Sequence, residues 1–514
     1  MIKKYNFLLV AIVLLAFSPC LWATTYNDLP QNFRNKWEAL LHYGHGRSAL
    51  SSDSNFFLSN NGATNPASEL LATINSFEKD PSYKCQFPAR TYLLFEQLPD
   101  ASCSGYLEYK EFVSAESISL VFASESETSP VSSMGHVFLV LEGHNAKGLY
   151  KRHAVAFVAD TSVSQNLLIE FLKDSIIGRY VLNPYDDLIY NYVSEEQRSL
   201  WEYKLNLSEE EKKWLFLHLY ELKEHSTKYS FFTHNCATGL NRVLAVASSN
   251  LLYPNDRLYI TPVEYIQHIY HTGRVHSIVV RPSYEDQFRL ESKYPLDPLK
   301  TNKTSRIKIG FLYDHYLKHG VNLEFLPFSH DISEATEAKT QLNESKFFEI
   351  KTSFFKNRPI IENFTLVNIR SLPNLEISSL KPNFGVELHG RVDNDHTSLY
   401  PDIHIGTGFS YKEIGFRPFY AVDAGFYWQP GNPQLYLLNQ IGFFYTNETF
   451  GKAAFSFKKA VTHNGEYRGR TSGLEITYSK VFSNNYFFEF EAVRNKLDTD
   501  LTDYRFCVNT GYRF

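Results

Sequence analysis

The chain has 514 residues, with 51 Lys and Arg against 56 Asp and Glu and a net charge of −5. That length exceeds what a single hydrophobic core serves, so two or three domains are expected. The near-balanced charge argues against nucleic acid as a partner.

Residues 1–23 combine Lys3 and Lys4, an apolar run from Phe7 to Phe17, and Leu21-Trp22-Ala23. This is the pattern of a secretory signal peptide cleaved near Ala23. Phe17-Ser18-Pro19 ahead of Cys20 is a poor lipidation signal. No later run is long and apolar enough for a transmembrane helix, and the mature protein is expected to be exported. Export permits disulfides, and four cysteines follow the signal: Cys85, Cys103, Cys236 and Cys507. Cys85 and Cys103 flank a short segment beside polar turn residues, which pairs them. Cys236 and Cys507 fall in regions of different character. A thiol kept in an oxidising compartment usually has a use; two buried structural cysteines are the alternative.

Residues 24–114 read as a helical N-terminal domain. Trp37 to Leu41 opens it, and Ala67 to Phe77 carries apolar residues at helical spacing. His42, His45 and Asp53 read as scattered polar surface. Residues 115–281 change to strands, with runs at Ile118–Ala123, His136–Leu141, His153–Val158 and Gly178–Leu182. Glu195 to Glu224 reads as two charged amphipathic helices. Ser126 to Gly135 is a loop by composition, and Gly135 lets the backbone approach closely, so His136 stands at a strand start where side chains reach a site. Leu240, Val243, Leu244 and Ala247 recur at helical spacing behind Cys236, with Asn235 as N-cap. The helix start favours thiolate over thiol. A histidine and a cysteine so placed are the minimal parts of a thiol acyl-transfer site, titrating jointly as an imidazolium–thiolate pair.

Residues 282–514 change again. Ile307–Tyr313, Phe384–Gly390, Ile403–Phe409, Phe419–Tyr427 and Tyr486–Ala492 alternate polar and apolar residues between polar turns. The expectation is an antiparallel outer-membrane β-barrel of roughly ten to twelve strands, with a soluble β-sandwich as the alternative. The aromatic fraction of 16% suits interfacial girdles. Tyr512-Arg513-Phe514 resembles the terminal signal of such barrels.

The order His then Cys, with Gly135-His136-Val-Phe-Leu on a strand and Asn235-Cys236-Ala-Thr opening a helix, resembles circularly permuted papain-like enzymes such as the lecithin-retinol acyltransferase group. Three segments sharpen the match: Ser129 to Leu139, Glu196 to Leu207 and Tyr229 to Cys236. Together they resemble the periplasmic domain of Lnb-type bacterial lipoprotein N-acyltransferases over about residues 115–250. The resemblance implies an α+β architecture in which Cys236 is the nucleophile and His136 the base. It also implies a lipoprotein's N-terminal amine as acceptor, while an even-stranded barrel would hold the preceding domain in the periplasm within reach of phospholipid. Asn235 and Ser133 are the expected substrate contacts, and neither cofactor nor metal is called for. Two departures stand out. The strand after the histidine is apolar at Ala154-Val-Ala-Phe157, where the family often shows an asparagine, so His153 is the candidate to orient His136. The minimal family architecture also requires no barrel. His234 reads as structural. The expected location is the periplasmic face of a Gram-negative outer membrane. The competing readings are a cell-wall peptidase or amidase and a catalytically inert outer-membrane structural protein.

Overall fold

The computed structural model describes residues 26–50, 55–126, 132–160, 176–230, 233–254, 259–291, 297–333, 342–356, 358–393, 396–411, 415–428, 433–447, 449–462, 470–483, 485–497 and 502–514. The expected signal peptide lies outside the described residues, as do positions 127–131 and 231–232 of the motif segments. The chain divides into two compact units. The first comprises Met1–Phe122, Val137–Tyr190 and Trp201–Val279; the second comprises Ala123–His136, Asn191–Leu200 and Val280–Phe514.

The first unit begins with α1 (Gln31–Leu40), the short hairpin β1 (Tyr43–Gly44) and β2 (Arg47–Ser48), and then α2 (Pro66–Lys79), α3 (Ser82–Gln86), α4 (Pro88–Phe95) and α5 (Ser104–Phe112). Asn65 caps α2 by accepting from Ser68 N, with Pro66 in the first turn, where its missing N–H costs nothing. Cys85 and Cys103 form a disulfide that ties α3 to the start of α5 (Cα–Cα 5.2 Å). These helices pack on the region that follows them within the same compact unit. Arg90 of α4 is fully buried; its guanidinium donates to Glu69 at 2.8 Å and to Phe56 O at 2.7 Å, and its backbone N–H donates to Glu221 at 2.9 Å. Glu221 belongs to α7 (Glu209–Leu222) of the next region. Such short helices bury their apolar faces only by packing on a larger body.

That body is a seven-stranded sheet in the order β8-β6-β5-β4-β3-β7-β9. Its strands are β3 (Ser117–Ala123), β4 (His136–His144), β5 (Tyr150–Ala159), β6 (Ile176–Pro184), β7 (Leu200–Leu205), β8 (Ser226–Tyr229) and β9 (Val275–Arg281). The runs expected as strands are β3 to β6. Leu200–Leu205, expected as helix, is a strand. A six-residue run is too short for helical and alternating periods to be told apart. The separating signal is Ser208, which forms a capping box with Glu211 and starts α7 afresh. Between β6 and β7 lies α6 (Tyr185–Ile189). After β8 comes α8 (Cys236–Ala247), in which Leu240, Val243, Leu244 and Ala247 are buried. A Cβ added at Gly239 would come within 2.7 Å of the Phe157 ring, so glycine lets α8 lie close on β5. α9 (Pro262–His271) carries a capping box of Thr261 and Glu264.

The second unit contains α10 (Tyr284–Glu291), β10 (Arg306–Asp314), β11 (Lys318–Leu326), the short β12 (Phe328–His330), and β13 (Leu342–Phe355) through β22 (Thr502–Arg513). All neighbours are antiparallel. β10 pairs with both β11 and β22, and β11 pairs with β13, so the sheet closes on itself as twelve long strands, β10, β11 and β13 to β22. Closure leaves no edge. The alternation is inverted relative to a water-soluble barrel. On β10, Ile307, Ile309 and Phe311 face outward, with Phe311 77% exposed, while Arg306 and Lys308 are buried inside. Leu435, Leu437 and Ile441 of β18 (Gln434–Asn447) repeat the pattern. The inner charges are paired: Arg306 with Glu324 at 2.6 Å and Asp331 at 2.8 Å, Lys308 with Glu489 at 2.6 Å, and Arg505 with Glu362 at 2.6 Å. An apolar outside around a charged inside is what a hydrocarbon solvent demands. Ile441, midway along β18, tests this. Ile441→Arg should cost about 2–4 kcal/mol if the site lies at the bilayer midplane, read by urea unfolding in lipid vesicles. Unchanged stability would mean that this face does not meet lipid.

Candidate active site

Asn235 is extended (φ −92, ψ −174), and its side-chain oxygen accepts from Thr238 N at 3.0 Å. Its amide nitrogen donates to Ile260 O at 2.9 Å, and its carbonyl accepts from Gly239 N at 2.9 Å. The side chain is thus engaged at both ends in seating the first turn of α8. Its position is that of a helix cap. The cap places Cys236 as the first helical residue, buried, carrying a thiol. First-turn N–H groups and the helix dipole favour its thiolate, and burial opposes it. Tyr229, the last residue of β8, is buried near it; burial and then the charge of Cys236 push its phenol pKa upward, so the hydroxyl stays protonated.

His136 is the first residue of β4 and follows Gly135, whose φ of 78 suits glycine. The turn before it, Ser132–Met134, buries Ser133. Ser126 N donates to Ser132 O at 2.9 Å, closing the loop, and Glu125 in the same loop pairs with His330 at 2.7 Å. Arg198 donates to the carbonyls of Ser124 at 2.6 Å and Ala123 at 3.3 Å and pairs with Glu196 at 2.8 Å. Burial, and then the charge of Arg198, push the His136 pKa down to about 3. Both causes oppose the imidazolium, so His136 is a neutral imidazole at neutral pH. The imidazolium–thiolate pair expected from the sequence is disfavoured by these two causes.

His153 is not placed to orient His136. In the β4–β5 ladder it faces Leu141, five residues along β4 from His136, roughly 16 Å at strand rise. It packs instead against the Phe112 ring, centroids 4.5 Å apart. Burial lowers its pKa, with Lys151 adding to the effect. His234 lies two residues before Cys236, its Nδ1 3.0 Å from Thr233 Oγ1. Among the described residues no cluster of three His, Cys, Asp or Glu could hold a metal ion.

Sequence reasoning passed over His42. Far from being surface, it is buried, with Nε2 2.9 Å from His218 Nε2, and His218 Nδ1 lies 3.5 Å from Glu221. Burial lowers the pKa of both rings, and for His42 the neighbouring His218 and Arg242 add to the effect. His218 sits between Leu217 and Leu219 on α7; a histidine at that position in an amphipathic helix was the available signal.

Comparison with known proteins follows the same division. The family model described as the Lnb N-terminal periplasmic domain matches residues 106–272. A second, described as a domain of unknown function (DUF7843), matches residues 32–97. No curated protein matches the chain. Among solved structures, an outer membrane channel from Pseudomonas putida F1 is similar at 11% identity and a TM-score of 0.26, covering 42% of this chain and 96% of that one. The outer membrane protein Omp33 of Acinetobacter baumannii is similar at 10% identity and a TM-score of 0.21, covering 42% and 100%. With its matched periplasmic domain and its closed barrel with an apolar exterior, this is a protein of the Gram-negative envelope, of the periplasm and outer membrane.

The His136 environment predicts a pH dependence of stability. An unfolded imidazole binds its proton near pH 6.5, the folded one only near 3. The contribution is therefore complete above 6.5 and is lost as pH falls from there toward 3, where the unfolded state binds more protons. Thermal scans between pH 7.5 and 4.5 should show Tm falling with acid, less steeply in His136→Gln. Parallel slopes would remove His136 as the source.

Proposed function

We propose that the segment matching the Lnb periplasmic domain is a thiol-dependent acyltransferase of the permuted papain-like kind, with Cys236 as nucleophile and His136 as base. The acyl donor is a diacyl phospholipid and the acceptor the N-terminal amine of a lipoprotein. The observation that carries the reading is a cysteine seated at the first turn of a capped, buried helix, within a segment that matches the Lnb periplasmic domain. Gly239, one turn after Cys236, lies close on Phe157 of β5.

In the proposed chemistry neutral His136 takes the Cys236 proton as Sγ attacks the ester carbonyl carbon. The ester C–O bond breaks, and the imidazolium returns the proton to the leaving lysophospholipid oxygen. The acceptor amine then attacks the thioester carbonyl, an amide forms, and the thiol is restored. Burial suits this sequence. A base held neutral by desolvation accepts a proton transiently, and the first-turn N–H groups stabilise the sulfur's negative charge without a resting ion pair.

The test is intact mass spectrometry of the full chain in detergent after incubation with phospholipid. Wild type should gain one acyl mass and release lysophospholipid, Cys236→Ala neither. Transfer by Cys236→Ala, or no adduct from wild type with phospholipid, overturns the reading; an adduct formed only with cell-wall peptides turns it to a peptidase.

His136→Gln should lower turnover by about 100- to 10,000-fold, the range for a lost general base. In wild type the acid limb of kcat/KM should fall well below pH 6.5, because the required neutral imidazole persists toward its pKa of about 3. A limb near 6.5, or one unchanged by His136→Gln, would assign the base elsewhere.

A further inference from the structure

The segment that ends at His136 is tied to the barrel. Ala123–His136 and Asn191–Leu200 belong to the same compact unit as β10 to β22. Glu125 pairs with Nε2 of His330 at 2.7 Å, and both side chains are only 10% exposed. His330 ends β12 opposite Ser345 of β13. The next residue, Asp331, is held by Arg306 of β10 at 2.8 Å and by Lys346 of β13 at 3.2 Å, so the anchor point is fixed to two long strands of the barrel wall. The tie reaches His136 through the bond from Ser126 N to Ser132 O, which joins the arm bearing Glu125 to the turn that leads into β4. A clamp holds the first arm from its other side. Arg198 spans the carbonyls of Ser124 and Ala123 and lies over the Tyr192 ring at 4.9 Å. Ser124 N donates to Ser199 O and Ser199 N to Ser124 Oγ, each at 2.9 Å. Ser199 Oγ accepts from Ser283 N at 2.9 Å and donates to Asp286 of α10.

A pair this dry gains little net stability over apolar packing. What it supplies is direction, since a carboxylate and an imidazole satisfy each other over a narrow range of distance and angle. The residue expected to orient the base, His153, stands roughly 16 Å along the strand from it. We propose that the barrel supplies the orientation instead: Glu125 and His330 are positioning residues that hold the strand start bearing His136 in its working geometry. The role in catalysis rests on the acyltransfer reading; the anchoring does not. The barrel then does more than attach the chain to a membrane, because one half of the tie is its own. The charged groups on the segments that meet here are Glu125, Glu196, Arg198, Asp286 and His330, and Arg198 is the one whose charge bears on the His136 ring, after burial. Loosening the tie admits water to that ring and returns its proton affinity toward the ordinary value near 6.5.

The experiment treats the full chain in detergent with diethyl pyrocarbonate, which modifies neutral imidazoles, between about pH 5 and 7.5, and follows His136 by peptide mass mapping. In wild type the rate should be slow and level over this range, because the ring stays neutral down toward its pKa of about 3. In Glu125→Ala and in His330→Ala it should rise about fivefold or more at the upper end and fall off below about 6.5. The double variant should go no further than either single one, since the two side chains act as a unit, and His330→Gln, which can still donate to Glu125, should lie nearer to wild type. In acyl transfer the single variants should lose roughly 10- to 100-fold in kcat with KM within about twofold, and the acid limb of kcat/KM should move up toward 6.5. A wild type that transfers no acyl group while His136 responds as stated removes the acyltransfer reading and leaves the anchoring in place. A modification profile in Glu125→Ala that overlays the wild type overturns the anchoring whatever the activity, and Glu125 lies outside the barrel strands, so this arm stands even if His330→Ala does not fold. An altered profile with kcat unchanged, or a raised KM with kcat kept, overturns the positioning role.

Discussion

The approach of α8 to the sheet at Gly239 governs the rest of the first unit. With hydrogen in place of a side chain, the helix rests on the Phe157 ring, where a Cβ would come within 2.7 Å. That contact lets Leu240, Val243 and Leu244 sink fully into the core. Fully burying such side chains is worth about 1.5–3 kcal/mol each. It also sets the height of the helix start, and Asn235, bonded to both Thr238 and Ile260, sets its direction. Cys236 therefore acquires its position from packing and capping, not from flexible loop geometry. A side chain on a rigid element is held closer to one geometry than a loop would hold it.

Both units bury paired charge, Arg90 with Glu69 in the first and Arg306 with Glu324 in the second. Inside the barrel Arg306, Lys308 and Arg505 each have a carboxylate within 2.8 Å, which offsets the cost of taking their charge out of water. In the first unit, burial instead removes charge from its imidazoles. His42, His153 and His218 all have lowered pKa values with burial as the leading cause, and His136, in the segment that leads into β4, follows the same rule. Arg242 cannot neutralise this way, since a guanidinium keeps its proton throughout the accessible pH range.

The barrel's twelve strands bring its first and last strands together with Arg306 opposite Arg513, so the chain enters and leaves at the same end. An even strand number has this consequence in any antiparallel barrel. The apolar exterior and paired interior make the barrel a membrane element, while the Lnb-like match ends before it. Envelope location thus follows from two independent features of one chain.

Much of this was determined by sequence alone, wherever the information was local or periodic. Alternation of period two revealed β10 and four later barrel strands, at Phe384–Gly390, Ile403–Phe409, Phe419–Tyr427 and Tyr486–Ala492, and with them the membrane setting, because a strand's two faces meet different solvents along its whole length. The cap at Asn235 and the helix behind Cys236 were legible because a capping side chain bonds within three residues of itself. The Cys85–Cys103 pair could be read because few cysteines were available. What the sequence could not reveal depended on register and on partners distant along the chain. Leu200–Leu205 is a strand because its neighbours β3 and β9 were waiting for it, and six residues carry too little periodicity to show that. His153 looked able to orient His136, but ladder register sets them five residues apart, and register is a property of two strands together. His42 looked like surface until His218, 176 positions away, buried it. The depressed basicity of His136 likewise exists only once folding has removed water, since desolvation acts on side chains through their surroundings and leaves no trace in local sequence.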